Sequence, residues 1–576
     1  MDLVFDIETD DLKATKVWCI VAQDVDTNEI FKFPPSKLDD GVKLLQSADR
    51  LIGHNIIGFD VPMIKKFFDV DLTDKELLDT LVLSRLFNPT REGGHSLEKW
   101  GYKLGLKKIE FEDYQNYSAE MLNYCVRDVQ LNTLVLKELK KEAKGFSKES
   151  VCLEHEVADI MKQQEKDGFK FNEMGANLLL AELRQEMQSI EDEVHETFQP
   201  KWVDDKLVTP YVKKDGTLSK RGLTADEYER CLNTSNYKPF MRKTLQEFNL
   251  GSRKQIGEYL TDFGWKPERF TPTGQPIVDE KTLSEITHIH EANLIARFLL
   301  LQKRIAQIES WLESLQDDGR VHGFVIPNGA ITGRMTHRNP NMAQVPSSSS
   351  PYGKECRSCW IVEEGNKLVG IDASGLELRM LAHYMDDKEF INEIINGDIH
   401  TANQKLAKLE SRDKAKTFIY ALMYGAGDEK LGKVVGGNTS DGKRARQYFF
   451  DNKPEFKSLR DRVQRASAKK YLKGIDGRKL YIRNNHAALN TLLQGAGAII
   501  MKKALSLLDT KLKLNTIDYK FVANIHDEWQ VEVKESQAHF VGLRAVEAII
   551  EAGEHFNLRC PLDGEYKIGD NWSETH

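Results

Sequence analysis

Hydrophobic and polar positions follow different periods in different parts of the chain. Residues 1–145 alternate short apolar runs, rich in β-branched side chains, with stretches of helical spacing, which is the pattern of an α/β domain. The clearest predicted strands are 3–8 and 50–60. Residues 150–196 lose these runs and carry apolar residues at helical spacing beside long charged faces, which predicts helices.

The remainder of the chain mixes irregular and helical segments. Turn-forming residues predict irregular structure over 198–249 and 326–353, while helical spacing returns from 284. Beyond these lie long helices with two strand-like pieces, 367–372 and 520–533. The pattern predicts an α/β and α+β multidomain protein, and 576 residues correspond to three or four domains of about 150 residues each.

Composition narrows the class of protein. Hydrophobic residues make up 40% and charged residues 30% of the chain, which excludes a disordered acidic tail, a collagen-like fibre and a small disulfide scaffold. No run approaches 18 uncharged apolar residues and the N-terminus has no apolar leader pattern, so we expect neither a membrane span nor a signal peptide. Seven scattered cysteines indicate reduced thiols, and we interpret the Cys356–Cys359 spacing as incidental.

Charge is unevenly distributed. The net charge of the chain is −8, but residues 197–254 contain twelve Lys and Arg against seven Asp and Glu. This segment is therefore a basic insert in an acidic protein. Net charge averages over all faces, so it does not exclude nucleic-acid binding.

Four carboxylates in the first 130 residues have the spacing of a cation site. Asp6 and Glu8 share one face of a predicted strand, because side chains alternate with a period of two. Asp60 ends the next predicted strand, and Tyr124 and Asp128 lie one turn apart on a predicted helix. Hard cations such as Mg²⁺ prefer carboxylate oxygens. We call Asp6, Glu8, Asp60 and Asp128 the first carboxylate cluster; each acid alone is equally compatible with a surface residue or a helix cap.

A second group of acids lies towards the C-terminus. Asp372 ends a predicted strand, a position that holds a carboxylate rigidly. Asp527 would lie on the apolar face of 520–533 if that segment were one unbroken strand, which is costly for a charge. Either a hairpin turn at His526–Asp527–Glu528 or a neighbouring metal ion relieves that cost. We call Asp372, Asp527 and Glu528 the second carboxylate cluster.

Between these acids, one helical stripe carries two cations followed by two aromatic residues. Arg412, Lys416, Tyr420 and Tyr424 follow one another at four-residue steps. Cations can hold a triphosphate and an aromatic ring can pack on a base or a sugar. A solvated helix face is the alternative, although such faces seldom carry paired tyrosines.

The motifs together resemble a known enzyme family. DIET, HNIIGFD and YCVRD resemble the three motifs of DEDD-type 3′→5′ proofreading exonucleases in their tyrosine form. DASGLELR, RDKAKTFIYALMYG and HDE resemble motifs A, B and C of family A DNA polymerases. TGRMTHRNPNMAQVP and HAALNTLLQGAGA resemble that family's primer–template motif and minor-groove helix. Nearly the whole chain, except 197–249, resembles the replicative polymerases of T-seven-like bacteriophages.

The resemblance implies a domain order. We expect an RNase H-like 3′→5′ exonuclease domain over 1–145, followed by a right-hand polymerase. Its thumb region, with the basic insert 197–249 and a link to the palm, would span 146–360. The palm would then span 361–400, the fingers 401–480 and the second part of the palm 481–576.

The resemblance also implies roles for individual residues. The metal ligands would be the aspartates of both clusters, the Glu8 carboxylate and one backbone carbonyl. These residues are Asp6, Glu8, Asp60, Asp128, Asp372, Ala373 and Asp527. Tyr124 would orient water and Glu528 would be an accessory acid. Deoxynucleotide contacts would come from Glu377, which would exclude a 2′-OH, and from His400, Arg412, Lys416, Tyr420 and Tyr424. DNA contacts would come from Arg334, Gln494 and His526.

The implied function is DNA-templated DNA synthesis with 3′→5′ proofreading, in phage DNA replication. The cofactors would be two Mg²⁺ ions at each site, with Mn²⁺ as a substitute. Partners would be primer–template DNA and dNTPs, with host thioredoxin or another processivity factor at 197–249 and a phage helicase-primase as further candidates. The location would be the cytoplasm of the infected bacterial host. For 197–249, direct DNA contact and a solvated loop remain open.

Three other classes compete with this interpretation. A single-subunit RNA polymerase shares the palm and helix pattern but would carry neither Glu377 nor the four acids of the first carboxylate cluster. An inactive paralogue would be expected to have lost metal-binding acids, all of which are present. A repair polymerase of the same family is disfavoured by the length, which we expect to leave no room for a flap-nuclease domain.

Overall fold

Residues 1–145 fold as a five-stranded sheet with helices on its faces. The structure, a computed structural model, describes residues 1–576. The strands here are β1 Asp2–Thr9, β2 Val17–Asp24, β3 Ile30–Phe33, β4 Arg50–Gly53 and β5 Glu76–Asp79. The helices are α1 Leu38–Ser47, α2 Asp60–Phe68, α3 Thr80–Phe87, α4 Leu97–Leu104 and α5 Ala119–Glu142. The order is β3-β2-β1-β4-β5, with β1 antiparallel to β2 and parallel to β4. The predicted α/β pattern is confirmed, and β1 lies at the centre of the sheet.

The predicted strand over 50–60 is wrong beyond Gly53. The chain turns there, with Asn55 in the left-handed region at φ 72°, and Asp60 is the first residue of α2. The backbone N–H groups of Asn55 and Ile57 donate to the buried carboxylate of Asp79 at 2.9 and 3.2 Å. The turn's isoleucines are buried, so a short apolar run alone could not distinguish it from a strand.

The next segment leads into a separate unit of the molecule. After α6 Lys148–Asp167 and β6 Phe169–Phe171, residues Glu173–Glu313 form one unit, and Met1–Asn172 with Ser314–His576 form the other. The unit Glu173–Glu313 contains α7 Glu173–Thr197, β7 Lys201–Val208, α8 Ala225–Thr234, β8 Phe240–Gln246, α9 Arg253–Asp262, α10 Glu280–Ser284 and α11 His290–Glu313. Helices α7 and α11 pack against each other.

The prediction of irregular structure over 198–249 is wrong for about half of that segment, where β7, α8 and β8 lie. Strands β7 and β8 pair as an antiparallel ribbon, and α8 lies between them with a capping box at Thr224. Most side chains of both strands are exposed, so they show no alternation of buried apolar and polar positions. Without a buried face, the sequence carried no periodic signal for these strands.

The chain from Ser314 completes the larger unit. Its strands are β9 Arg320–Val321, β10 Phe324–Ile326, β11 Thr336–Arg338, β12 Trp360–Ile361, β13 Asn366–Ala373, β14 Tyr471–Lys473, β15 Lys479–Tyr481, β16 Tyr519–Ile525, β17 Glu528–Lys534 and β18 Gly564–Gly569. Its helices are α12 Gly353–Ser358, α13 Leu376–Met385, α14 Lys388–Asn396, α15 Ile399–Ala407, α16 Arg412–Met423, α17 Asp428–Val435, α18 Thr439–Asn452, α19 Pro454–Ser467, α20 Ala488–Leu514 and α21 Ala538–His555. The short β10–β11 pair lies partly in the segment 326–353, for which irregular structure was predicted.

A four-stranded antiparallel sheet organises this C-terminal region. Its order is β16-β17-β13-β18, and helices α20 and α21 pack together and against neighbouring elements of the same core. Segment Asn485–Leu514 has the length and hydropathy of a membrane span, but 78% of its most apolar window is buried inside the protein. Such burial is typical of a core helix.

A buried ionic cluster joins the N-terminal and C-terminal parts of the larger unit. Glu154 of α6 accepts hydrogen bonds from Arg478, beside β15, at 2.5 Å and from Lys502 of α20 at 2.6 Å. Nearby, the Tyr481 hydroxyl donates to the Phe87 carbonyl at 2.7 Å. A buried charge without its partner is strongly destabilising. These contacts therefore fix the positions of α6, α20 and the β14–β15 hairpin relative to one another.

Candidate active sites

Two helices and the central strand build the first carboxylate cluster. β1 carries Asp6 and Glu8, α5 packs on β1 and presents Asp128, and α2 begins at Asp60. An oxygen of Asp60 accepts a hydrogen bond from the Ile7 N–H at 3.1 Å, which fixes it beside β1. The structure thus brings together all four acids that the sequence placed at this site.

Burial and mutual repulsion dominate the electrostatics of this cluster. Burial, followed by the charges of Asp60, Glu8 and Asp128, raises the pKa of Asp6 well above its usual range. Burial raises the pKa of Glu8 to about 9 and that of Asp60 to about 7. Buried acids in contact cannot all ionise without a compensating cation. The oxygen-rich donor set therefore fits a hard divalent cation.

Three further side chains complete the surroundings of the cluster. Tyr124 lies one turn before Asp128 on α5. The Cys125 thiol lies 3.7 Å from a carboxylate oxygen of Asp6. The Lys108 ammonium lies 2.5 Å from an oxygen of Asp128 and 4.8 Å from the centre of the Tyr124 ring. Sequence reasoning missed Lys108, because it lies in a segment without helical or strand periodicity.

A tight hairpin positions the second carboxylate cluster. β16 and β17 are joined at His526–Asp527, with His526 in the left-handed region at φ 57°. The predicted hairpin turn is confirmed. The Ala373 N–H donates to the Asp527 carbonyl at 3.1 Å, which holds the turn beside the end of β13 where Asp372 lies. Burial, then the charges of Asp527 and Glu528, raises the pKa of Asp372 to about 7.

The carboxylate of Glu528 is occupied by neighbouring donors. Its oxygens accept from Trp572 Nε1 at 2.6 Å and Gln530 Nε2 at 2.7 Å, and His576 Nδ1 lies at 2.7 Å. Burial opposes ionisation of Glu528, but the contacts with His576, Gln530 and Trp572 together outweigh burial and lower the pKa of Glu528. These contacts favour a positioning role for Glu528, whereas Asp372, Asp527 and the adjacent Ala373 carbonyl provide oxygens that fit a divalent cation.

Three residues from distant motifs meet beside the second carboxylate cluster. Glu377, in the first turn of α13, accepts from Arg334 Nη2 at 2.9 Å and from the Tyr424 hydroxyl at 2.5 Å. The ring centres of Tyr420 and Tyr424 are 6.2 Å apart. The charge of Asp527 contributes to the raised pKa of Tyr420, after burial and Glu377, so the aromatic end of the predicted stripe faces the acids.

The cationic end of the stripe lies near the start of α15. His400, in the first turn of α15, has its pKa lowered by burial and by the charges of Arg412 and Lys416. Arg412 Nε donates to Asp398 at 2.7 Å, and Asp398 also caps α15. Sequence reasoning did not single out Asp398, although an acid one residue before a predicted helix is a recognisable cap.

Comparisons with known proteins identify the family. The profile of DNA polymerase family A matches residues 224–574. The DNA-directed DNA polymerases of Enterobacteria phage T3 and Escherichia phage T7 are each 34% identical over 703 aligned residues, which cover 100% of this chain and of each relative.

The chain belongs to family A of the DNA polymerases.

A more distant relative and a solved structure agree with this assignment. DNA polymerase I of Helicobacter pylori strain 26695 is 25% identical to this family A polymerase over 558 residues, covering 92% of this chain and 56% of the relative. A solved structure of the "POL domain of Pol1 from M. smegmatis complex with DNA primer-template and dNTP" has a TM-score of 0.78 and 18% identity, over 100% of this chain and 96% of that one. At that identity, the likeness supports the fold alone.

The residues predicted to contact DNA lie near the second carboxylate cluster of the polymerase. Gln494 lies on α20, one turn before Gly497, where an added Cβ would contact Leu376 at 3.3 Å. This close approach brings α20 against the start of α13, next to Glu377. Burial, followed by the charge of Arg334, lowers the pKa of His526, so its ring is neutral near pH 7.

Proposed function

We propose that this family A polymerase adds deoxynucleotides to a primer 3′-OH on a DNA template and removes them with a 3′→5′ exonuclease in the same chain. The observation that carries the proposal is the presence of two separate carboxylate clusters, one beside Tyr124 and Lys108 and the other beside Glu377, Tyr420 and Tyr424. The RNase H-like assignment of residues 1–145 and the palm, fingers and thumb of the remainder are part of this proposal.

At the second carboxylate cluster, Asp372, Asp527 and the Ala373 carbonyl would hold two Mg²⁺ ions. Arg412, Lys416 and His400 bind the triphosphate of the incoming nucleotide, because cations pair with oxygens that gain charge during transfer. The primer 3′-hydroxyl loses its proton to solvent and its oxygen forms a bond to the α-phosphorus. The bond between that phosphorus and the oxygen bridging to the β-phosphate breaks, and pyrophosphate leaves with the electron pair.

The neighbouring side chains select the substrate. Tyr420 packs against the sugar, and Glu377 fills the space that a 2′-OH would need. Arg334 and Gln494 donate to minor-groove acceptors, which every Watson–Crick pair presents, so they test pair shape without reading sequence.

At the first carboxylate cluster, Asp6, Glu8, Asp60 and Asp128 would hold the ions of the nuclease reaction. Tyr124 orients the attacking water towards the phosphorus of the 3′-terminal phosphodiester. Bound divalent ions supply Lewis acidity at both sites and allow a water or hydroxyl to react near neutral pH.

A two-substitution variant tests the nuclease half of the proposal. Asp6→Ala with Glu8→Ala should abolish 3′→5′ degradation of a 5′-labelled single strand and leave primer extension at least as fast as in wild type. The matched control is Asp39→Ala with Asp40→Ala, two exposed acids in the first turn of α1. Degradation by the Asp6/Glu8 variant at more than a tenth of the wild-type rate would contradict the assignment.

The exposed ribbon of the second unit supports a processivity role for 197–249. The ribbon exposes two apolar cross-strand pairs, Trp202 with Leu245 and Leu207 with Met241. Exposed cations follow in the adjoining turns, at Lys213, Lys214, Lys220 and Arg221. Exposed apolar pairs beside basic turns suit a bound protein, for which host thioredoxin or another processivity factor is the candidate. A phage helicase-primase is a further proposed partner of the polymerase, with no site assigned.

Product length measures this role. Replacing the four cations with Ala should shorten products per binding event and flatten the salt dependence of DNA affinity if the segment contacts DNA, by at most about 0.9 in slope per phosphate. Trp202→Ser with Leu245→Ser should instead abolish only stimulation by thioredoxin if the segment binds a protein. Wild-type product lengths for both variants, alone and with thioredoxin, would contradict the role. The proposed site of action is phage DNA replication in the cytoplasm of the infected bacterium.

A further inference from the structure

One lysine lies among the acids of the first carboxylate cluster. Lys108 Nζ is 2.5 Å from Asp128 Oδ2, and its side chain is 25% exposed. It also lies 4.8 Å from the centre of the Tyr124 ring. A cation is therefore held beside both the proposed ion ligands and the proposed water-orienting phenol, yet remains open to solvent on one side.

The segment that carries Lys108 is anchored on both sides. It leaves α4 through Gly105, where the Leu106 N–H donates to Gly101 at 3.1 Å. Further along, Phe111 packs on Tyr124 with ring centres 5.5 Å apart. The backbone around Lys108 is thus fixed by packing, while the long side chain retains room to move its ammonium by a few ångströms.

The adjacent Lys107 shows that the contact is specific to one position. Lys107 is exposed, and its ammonium lies 5.3 Å from the ring centre of Tyr102 on the outside of α4. Its carbonyl accepts from Arg127 at 3.4 Å. Two neighbouring lysines of the same segment therefore face different surroundings, and only Lys108 faces the carboxylates.

Charge balance indicates what Lys108 contacts during the reaction. Four ionised carboxylates carry four negative charges, which two divalent cations neutralise. Once a cation binds Asp128, the Lys108 ammonium loses its anionic partner at the same place where a phosphodiester, with one negative charge, must lie. A phosphate oxygen is the group that restores a partner to this half-buried cation.

We propose that Lys108 binds the scissile phosphate of the single-stranded 3′ end and stabilises the charge that develops on it during cleavage. The inference rests on the proposed exonuclease function. In that reaction a water oxygen forms a bond to phosphorus and loses one proton. The bond between phosphorus and the O3′ of the preceding nucleotide breaks, and O3′ leaves with the electron pair and gains one proton. The products are a nucleoside 5′-monophosphate and a shortened strand, and Lys108 stays protonated throughout.

The test compares three lysine variants with the full-length enzyme. Lys108→Ala, Lys108→Arg and the control Lys107→Ala are assayed for degradation of a 5′-labelled oligodeoxynucleotide over a range of DNA concentrations, with Mg²⁺. Primer extension by each variant reports that the chain is folded. Binding of the same oligonucleotide is measured by fluorescence anisotropy in EDTA, without turnover, and methylammonium is added to seek chemical rescue.

We expect Lys108→Ala to lower kcat by about 100-fold, because the contact strengthens as charge develops, with a smaller change in KM. Lys107→Ala should stay within about 2-fold of wild type, Lys108→Arg should recover at least a tenth of the activity, and methylammonium should raise the rate of Lys108→Ala but not of wild type. In EDTA, where Lys108 pairs with Asp128, the affinity of Lys108→Ala for DNA should be close to that of wild type.

Two other results would overturn the inference. One is a kcat of Lys108→Ala within about 3-fold of wild type while Asp6→Ala is inactive. The other is a loss in Lys108→Ala that neither Lys108→Arg nor methylammonium restores, which would assign Lys108 a structural ion pair with Asp128. Degradation that survives Asp6→Ala would instead contradict the exonuclease function itself. If Lys108→Ala loses primer extension as well, Lys108→Gln takes its place. The kcat of degradation by Lys108→Gln is then compared with that of Lys108→Arg, and the same fold-changes support or overturn the inference.

Discussion

The two carboxylate clusters differ in how the protein compensates their charges. In the first, four acids face one another in a largely buried site, and a single lysine, Lys108, supplies the opposing cation. In the second, Glu528 is already satisfied by Trp572 and Gln530, which leaves Asp372 and Asp527 as the uncompensated pair.

This difference indicates two ways of preparing a site for a cation. The first cluster buries its acids together, and burial, followed by the charges of Cys19 and Asp128, raises the pKa of Glu8 to about 9, so the stability of this site depends strongly on pH. In the second cluster, Trp572 and Gln530 hold Glu528, and Asp372 and Asp527 are the two acids proposed to bind a cation. Substitutions in each cluster should therefore affect one activity and spare the other, and substitutions around them should measure how the clusters differ.

The largest effect should come from the second cluster. Asp372→Ala or Asp527→Ala should lower nucleotide incorporation at least about 1,000-fold, because each removes a carboxylate on which charge stabilisation depends. Degradation of single-stranded DNA should be nearly unchanged. The control is Glu565→Ala, an exposed acid on β18 in register with Asp372. Incorporation by either aspartate variant at a tenth of the wild-type rate would refute the assignment.

Sugar selection should change by a smaller factor. Glu377→Ala should raise ribonucleotide incorporation relative to deoxynucleotide by about 10-fold or more, because the side chain fills the space of the 2′-OH. Tyr424→Phe, which removes only the 2.5 Å hydrogen bond to Glu377, should give an intermediate ratio. Steady-state ratios for ATP and dATP measure this. Unchanged ratios in Glu377→Ala would mean that the residue does not face the sugar.

Discrimination at the 3′ position should depend on Tyr420. Tyr420→Phe should discriminate more strongly against dideoxynucleotides, because its hydroxyl can replace the missing 3′-OH contact and a phenyl ring cannot. The ratio of ddATP to dATP incorporation is the measurement. Tyr448→Phe is the control, because Tyr448 lies on α18 against Lys408, away from the stripe. Equal changes in both variants would argue against a sugar contact.

Thermal stability should report the repulsion in the first cluster. The folded-state pKa of Glu8 is raised from 4.5 to about 9, so the stability that this group contributes is fully present below about pH 4.5 and lost as the pH rises towards 9. In EDTA, Glu8→Gln should therefore raise Tm by about 2–4 °C near pH 8 and by less near pH 5.5. Mg²⁺ should raise the Tm of wild type more near pH 8 than near pH 5.5. A Glu8→Gln protein that is less stable than wild type near pH 8 would contradict this account.

The sequence predicted more of the second cluster than of the surroundings of the first. At Asp527 the cost of placing a charge on an apolar face left a hairpin turn or a neighbouring metal ion as alternatives, and the structure contains the hairpin turn. Asp60 lies beside Asp6 as expected, but it begins a helix and does not end a strand, because a buried turn and a short strand have the same apolar content. The local apolar pattern cannot distinguish this turn from a strand, because the turn is held by hydrogen bonds to Asp79, which is remote in sequence.

Two other features of the structure could not be predicted from the sequence. The ribbon β7–β8 buries neither face completely, so its residues lack a period of two. An isolated lysine in an irregular segment is most often a solvated charge, so the sequence did not single out Lys108. Only the fold shows that Lys108 contacts Asp128, twenty residues further along the chain.

The most direct test of two independent sites in one chain is nucleotide turnover on a recessed primer–template with only the dNTP that pairs with the first unpaired template base. Wild type should convert dNTP continuously to dNMP, because each added nucleotide is removed again. The Asp6→Ala/Glu8→Ala variant should add the nucleotide without releasing dNMP, and Asp372→Ala should release dNMP only from the existing primer and consume no dNTP. Sustained turnover by either variant, or loss of both activities through one cluster alone, would contradict the account.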